Sequence, residues 1–223
     1  MKKIIVVCLA LALLLTLAAC TAASDRDGGP TDAVTVSPES KPAVEAEGEE
    51  STAPVPSEDG DTAQARKDTL VVYFSATGTT KAVAQTIAAI TDADLYEIQP
   101  SQSYTSEDLN WRDNSSRSTK EQNDKNARPA IGSEAISLTG YTTIYIGYPI
   151  WWGEEPRIMD TFVESYDFDG ITVIPFCTSS SSGIGRSGKN LADYAGSGTW
   201  LEGKRFGAGA SESELRSWIE SLR

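Results

Sequence analysis

From Leu70 onward the chain alternates between short apolar runs and longer stretches with apolar residues every three or four positions. The runs read as strands buried on both faces, and the longer stretches as amphipathic helices. Leu70-Val71-Val72-Tyr73-Phe74 is the first predicted strand, and residues 79–90 form a helix with Val83, Ile87 and Ile90 on one face. Residues 95–98 are a short second strand. Residues 107–125 are polar with poor periodicity and are predicted as a surface helix. A third strand covers 143–147, and Pro156 opens a helix at its first turn with Ile158, Phe162 and Val163 facing inward. A fourth strand covers 171–176, a further helix includes 191–194, a weaker fifth strand spans 200–206, and residues 212–222 close the chain as a helix. This alternation predicts an α/β three-layer sandwich around a five-stranded parallel sheet in the order 2-1-3-4-5. In that order a ligand binds at the carboxyl ends of the strands, where the first and third meet.

The first 68 residues follow a different pattern. Lys2-Lys3 precedes an apolar run from Ile4 to Ala19, shorter than the roughly 20 residues of a membrane span. It reads as a signal peptide, residues 1–19. Leu17-Ala18-Ala19-Cys20 resembles the bacterial lipobox, which implies lipid on Cys20 and anchoring to a bacterial membrane on its extracytoplasmic side. Residues 21–68 hold 12 acids and 4 bases, no aromatic residue, and many Pro, Ser and Thr. Such a stretch is expected to be a disordered acidic linker. With Cys8 in the signal and Cys20 lipidated, Cys177 alone remains, so no intrachain disulfide is expected.

Residues 69–223 make one domain with 20 acids and 13 bases, which argues against nucleic acid as a partner. Three loops after predicted strands have unusual composition. Ser75-Ala76-Thr77-Gly78-Thr79-Thr80 joins a strand to a helix start, where free N–H groups and the helix dipole favour a phosphate. The loop carries no Lys or Arg, and Lys81 lies just beyond it. Pro149-Ile150-Trp151-Trp152-Gly153 places two adjacent indoles at a strand end. One is expected to pack inward and the other to cover a flat ligand. Thr178 to Gly185, with Ser179, Ser180, Gly183 and Gly185, is rich in hydroxyls and Gly. Together the loops suggest a ligand that is planar, phosphorylated and polar at its rim.

Several segments resemble the flavodoxin family, its bacterial branch with a Pro-Ile-Trp-Trp-Gly loop in particular: YFSATGTTKAVA (73–84), IQP (98–100) with Tyr104, IGYPIWWGEEPR (146–157), FVESYDFDGITVIPFCTSSSSGIG (162–185) and WLEGKRFGA (200–208). The resemblance implies a flavodoxin-like fold with FMN as cofactor. It assigns residues 75–80 to the phosphate, 149–153 to the flanks of the isoalloxazine ring, and 178–185 to the ring's polar edge. Ser180-Ser181 stand where a Gly is expected.

Other chemistry is sparse. Gly183-Ile184-Gly185-Arg186-Ser187-Gly188 matches a dinucleotide fingerprint and, with Lys189-Asn190, approaches a P-loop. The loop before it is too long, and Asn190 stands where the Mg²⁺-binding hydroxyl belongs. The chain has no His, which removes imidazole-based catalysis and metal ligation. Cys177 reads as a small buried residue rather than a reactive thiol. Glu154-Glu155 reads as a solvated helix N-terminus, or alternatively as a partner surface or a source of repulsion for a reduced flavin. The expected function is electron transfer by an FMN-binding lipoprotein, with a redox protein or small acceptor as partner. An NAD(P)H-dependent quinone or nitro reductase and a cofactor-free binding module are the alternatives.

Overall fold

The computed structural model describes residues 67–222. The expected signal peptide (1–19), the lipid-bearing Cys20 and nearly all of the linker lie outside the described residues. The elements run β1 (Thr69–Tyr73), α1 (Thr79–Thr91), β2 (Asp94–Glu97), α2 (Arg117–Asn123), β3 (Thr143–Pro149), α3 (Arg157–Glu164), β4 (Thr172–Thr178), α4 (Ser187–Ala195), β5 (Thr199–Trp200), β6 (Lys204–Phe206) and α5 (Glu212–Glu220). All strand pairs are parallel, and the sheet order is β2-β1-β3-β4-β5, with β6 also pairing β4. This is the flavodoxin-like architecture.

The period-two alternation within the strands sorts side chains into two cores. Leu70, Val72, Ile144, Ile146 and Val173 pack with Ile158, Phe162 and Val163 of α3 and Leu191 of α4. Val71, Tyr73, Tyr145, Ile174 and Phe176 pack on the other face with Val83 and Ile87 of α1 and Leu215, Trp218 and Ile219 of α5. Alternation places position 147 on the second face, and it is Gly because a Cβ there would lie 2.1 Å from Cζ of Phe176. The aromatic ring occupies the space that any side chain would need.

Two elements differ from expectation. The fifth sheet position is filled by two short strands, not one. Leu201 N donates to Val173 O at 2.9 Å. In a parallel ladder the next bond would come from the N–H of residue 175, and Pro175 has none. Pairing resumes at Phe176↔Lys204. The surface helix predicted over 107–125 shrinks to Arg117–Asn123. Short polar side chains before it bond the backbone locally: Asp108 Oδ2 accepts from Thr105 N at 3.0 Å, and Asp113 Oδ1 from Ser115 N at 2.8 Å. Those bonds favour turns over helix. The helix starts where the Ser116 side chain caps it by accepting from Thr119 N.

Candidate functional site

The three loops after β1, β3 and β4 meet at the carboxyl edge of the sheet. Thr80 Oγ1 and Thr178 Oγ1 are hydrogen-bonded at 2.7 Å in a buried position, which joins the first loop to the end of β4. Ile150 N donates to Thr178 O at 3.0 Å, joining the second loop to the same residue. A Cβ placed on Gly185 would lie 3.5 Å from Gly153 O, so the third loop touches the tip of the second.

In the first loop Gly78 takes a left-handed conformation, φ 87°, as the N-cap of α1. An L side chain there would cost about 1–2 kcal/mol. Ser75 Oγ accepts from Gly78 N at 3.1 Å and shapes the turn. The first turn of α1 has no side-chain cap and no acidic residue. Its N–H groups and dipole therefore remain available to an anion. Lys81 is engaged elsewhere, with Nζ 2.8 Å from Glu97 Oε2.

The second loop is a tight turn. Trp151 N donates to Glu154 O at 2.9 Å, and Glu154 N returns a bond to Trp151 O at 3.0 Å. The two central residues, Trp152 (φ 51°) and Gly153 (φ 85°), are both left-handed, as a type I′ turn requires. A bulky residue at positive φ is strained by about 1–2 kcal/mol. The adjacent indoles diverge. Trp151 packs edge-on against Phe74 (5.6 Å between ring centres) and Tyr104 (5.2 Å). Trp152 stays 45% exposed.

A cleft of about 330 Å³ opens beside these loops. Ser75, Ala76, Thr77 and Thr80 line one side, and Pro149, Ile150, Trp151 and Trp152 another. Leu109, Trp111 and Ser118 complete it from the turn-rich segment before α2 and the start of that helix, a wall that the loop reading does not anticipate. Among the described residues, three large apolar side chains are exposed: Leu95, Trp111 and Trp152. Two of the three face this cleft. The available signal for Trp111 was a lone indole within the polar stretch Ser106–Asn114.

The third loop contributes less to the cleft than its composition suggests. Thr178 is buried beneath Thr80, and Ser179, Ser180, Gly183 and Gly185 are not among the residues that line the cleft. Ser179 N donates to Phe206 O at 3.1 Å, and Arg205 Nη2 to Ser180 O at 2.7 Å, so the start of this loop is held toward β6.

Behind the second loop lies a buried ionic cluster. Glu155 and Asp160 are 0% exposed and Arg157 2%. Arg157 Nη1 is 3.5 Å from Asp160 Oδ2 and 3.8 Å from Glu155 Oε1, and its Nη2 is 2.9 Å from Glu154 Oε2. The expectation of a solvated Glu154-Glu155 pair is corrected at Glu155, whose carboxylate turns inward and accepts from Asn190 Nδ2 at 3.2 Å. Burial raises the Glu155 carboxyl. Burial, aided by the negative charge of Glu155, pushes Asp160 up to about 7. Cys177 is fully enclosed in β4, and burial pushes its thiol up to about 12, which keeps it protonated and unreactive.

Comparison with known proteins gives matches of two kinds. The sequence model of a family described as flavodoxin matches residues 68–222. A crystal structure from Bacteroides uniformis ATCC 8492, provisionally classed as a flavoprotein, is 49% identical over 69% of this chain and 97% of its own, with a TM-score of 0.66. One from Bacteroides eggerthii DSM 20697, classed likewise, is 43% identical over 70% of this chain and 97% of its own, with a TM-score of 0.65. A flavoprotein from Lactobacillus acidophilus NCFM, crystallised in complex with FMN, is 24% identical over 69% of this chain and 99% of its own, with a TM-score of 0.53. None of the curated proteins compared matches the chain.

Proposed function

The chain belongs to the flavodoxin family, and we propose that it binds FMN in the cleft between the first and second loops and carries electrons at the extracytoplasmic face of a bacterial membrane. The observation that supports this most is the pairing of two exposed indoles, Trp111 and Trp152, with an uncapped helix start in one cleft. Exposed apolar rings suit a planar heterocycle. The first turn of α1 suits a phosphate. FMN joins both groups in one molecule, and a protein of the same fold from Lactobacillus acidophilus was crystallised with it.

The residues present fit the group. Thr77, Gly78, Thr79 and the N–H groups of the first turn of α1 would hold the phosphate, with dipoles rather than a cation balancing its charge, since Lys81 is paired with Glu97. Ile150, Trp152 and Trp111 would contact the ring, and Trp151 would add its cleft-facing edge while Phe74 and Tyr104 hold its indole in place. Ser179, Ser180, Gly183 and Gly185 would meet the ring's polar edge only by way of the contact between the third loop and Gly153. Bound FMN supplies the redox chemistry, and the protein orients it and sets its potential. With 20 acids and 13 bases over residues 69–223, the domain disfavours added negative charge, which lowers that potential. The same field favours a partner protein with a basic face, and a small-molecule acceptor is the alternative partner.

Lipid on Cys20 would place the domain outside the cytoplasm, on a tether of 48 residues between Thr21 and Asp68. Labelling with a radiolabelled fatty acid, lost in Cys20→Ala, tests the anchor. For the flavin, a visible spectrum of the purified protein before and after FMN addition is decisive. Uptake with flavin bands supports the assignment, and a colourless protein that takes up no FMN supports a binding module instead. Steady NADPH oxidation with a quinone acceptor would move the assignment from carrier to reductase.

A further inference from the structure

We infer that Gln122 is a positioning residue for the flavin, because its carboxamide holds the base of the left-handed Trp152–Gly153 turn and so fixes how Trp152 meets the cleft. The inference rests on FMN binding as proposed above. Gln122 lies on α2, far in sequence from the turn, and is 7% exposed. Its Nε2 donates to Trp151 O at 3.0 Å and to Glu155 O at 3.2 Å. Those carbonyls bracket the turn, one at its first residue and one just past its last. Trp151 O thus accepts twice, from Gln122 and from Glu154 N.

The chemistry of the site dictates the orientation of the amide. Two carbonyl oxygens face it, so only the NH₂ end can point toward them. Oε1 is left buried without a hydrogen-bond partner. An unpartnered buried acceptor is costly, and the two donated bonds are what that orientation secures. The staple is itself anchored, because Arg157 Nη2, two residues past Glu155, donates to Gln122 O at 3.1 Å. A closed circuit of bonds therefore links α2, the turn and the start of α3.

Apart from the third loop, which approaches Gly153 O at Gly185, the tip of the turn is open. A Cβ on Gly153 would meet nothing within 4 Å. Trp152 holds a strained φ of 51° while remaining 45% exposed. A strained conformation persists only where its surroundings determine it. Here that determination comes from the base of the turn, where Gln122 sits, and the segment leading into α2 also carries Trp111. One short stretch of chain thus places both exposed indoles.

The test uses the full chain with Gln122→Met, which keeps length and removes both donors, and Gln122→Glu, which keeps shape. The amides of Trp151 and Glu154 are followed by hydrogen exchange without FMN, and FMN affinity and the visible circular dichroism of the bound flavin are measured with it. Gln122→Met should speed exchange at Trp151 and Glu154 by about tenfold, leave β1 and β3 unchanged, weaken FMN by about tenfold and alter the dichroism. Gln122→Glu should behave alike at pH 8 and recover part of the affinity at pH 5, because a protonated carboxyl regains one donor. Gln122→Met should show no such recovery. Unchanged exchange at the turn overturns the inference. So does faster exchange with unchanged FMN affinity, or an equal acceleration throughout β1 and β3. If the wild-type protein takes up no FMN, the flavin assignment itself fails, and Gln122 loses this role with it. That outcome is distinct because it appears without any variant.

Discussion

Thr80 and Thr178 share a buried hydroxyl–hydroxyl bond of 2.7 Å that ties the N-terminus of α1 to the last residue of β4. The two residues are 1% and 5% exposed. Thr80→Val should therefore strand the Thr178 hydroxyl and cost about 1–2 kcal/mol of stability. Replacing both by Val removes both polar groups and should restore most of that loss. Denaturant midpoints of the two single variants and the double variant check this.

Trp152→Asn should separate stability from binding. Asn tolerates the left-handed conformation and Asn-Gly is the favoured pair for a type I′ turn, so the fold should gain about 0.5–1 kcal/mol. The same substitution removes an exposed indole from the cleft and should weaken FMN by about tenfold or more. Trp151→Ala should do the opposite at the level of the fold, costing about 3 kcal/mol through lost packing on Phe74 and Tyr104. Thermal melts and FMN titrations of the two variants test the division of labour between the adjacent rings.

Gly147→Ala should be poorly tolerated for a reason unrelated to backbone freedom. Its Cβ would overlap the Phe176 ring, with ring atoms at 2.1, 2.5 and 2.8 Å. Overpacking of this kind costs about 1–3 kcal/mol. Phe176→Leu in the same chain should recover part of the loss, and a denaturation series over the three variants decides it.

Asp160 gives the domain an acid-side stability term. Burial raises its native carboxyl to about 7, above the ordinary carboxylate range. The folded state thus holds a proton that the unfolded state releases. Stability from this group is complete below about pH 4 and falls as pH rises toward 7, by at most about 1.4 kcal/mol per pH unit. Asp160→Asn should flatten the profile in that window. A slope that persists unchanged in Asp160→Asn assigns it to other groups, Glu155 first.

The sheet was legible in the sequence because strands buried on both faces leave continuous apolar runs, as at Leu70–Phe74 and Thr143–Gly147. The edge was less so. Pro175 could be seen, but its effect depends on which side of β4 its missing N–H falls, and only the register decides that. The segment before α2 is not the helix that its polar surface character suggests, because its Asp and Thr side chains bond local backbone and form turns. Glu155 differs from the solvated position its charge suggests, because its burial depends on the neighbouring Arg157 together with Asn190, which only the fold brings near. At the site, the loops at 75–80 and 149–153 were recognisable from composition. Trp111 and Gln122 were not, because each acts across distances that only the fold creates.

The most direct measurement is a fluorescence titration of the purified protein with FMN, run in parallel with riboflavin, which has the same ring and no phosphate. A cleft that combines indoles with the start of α1 predicts one FMN per chain, a dissociation constant below about 1 µM, and riboflavin at least about tenfold weaker. Equal affinity for the two ligands would contradict the role given to residues 75–80, and no binding of either would contradict the account of the cleft.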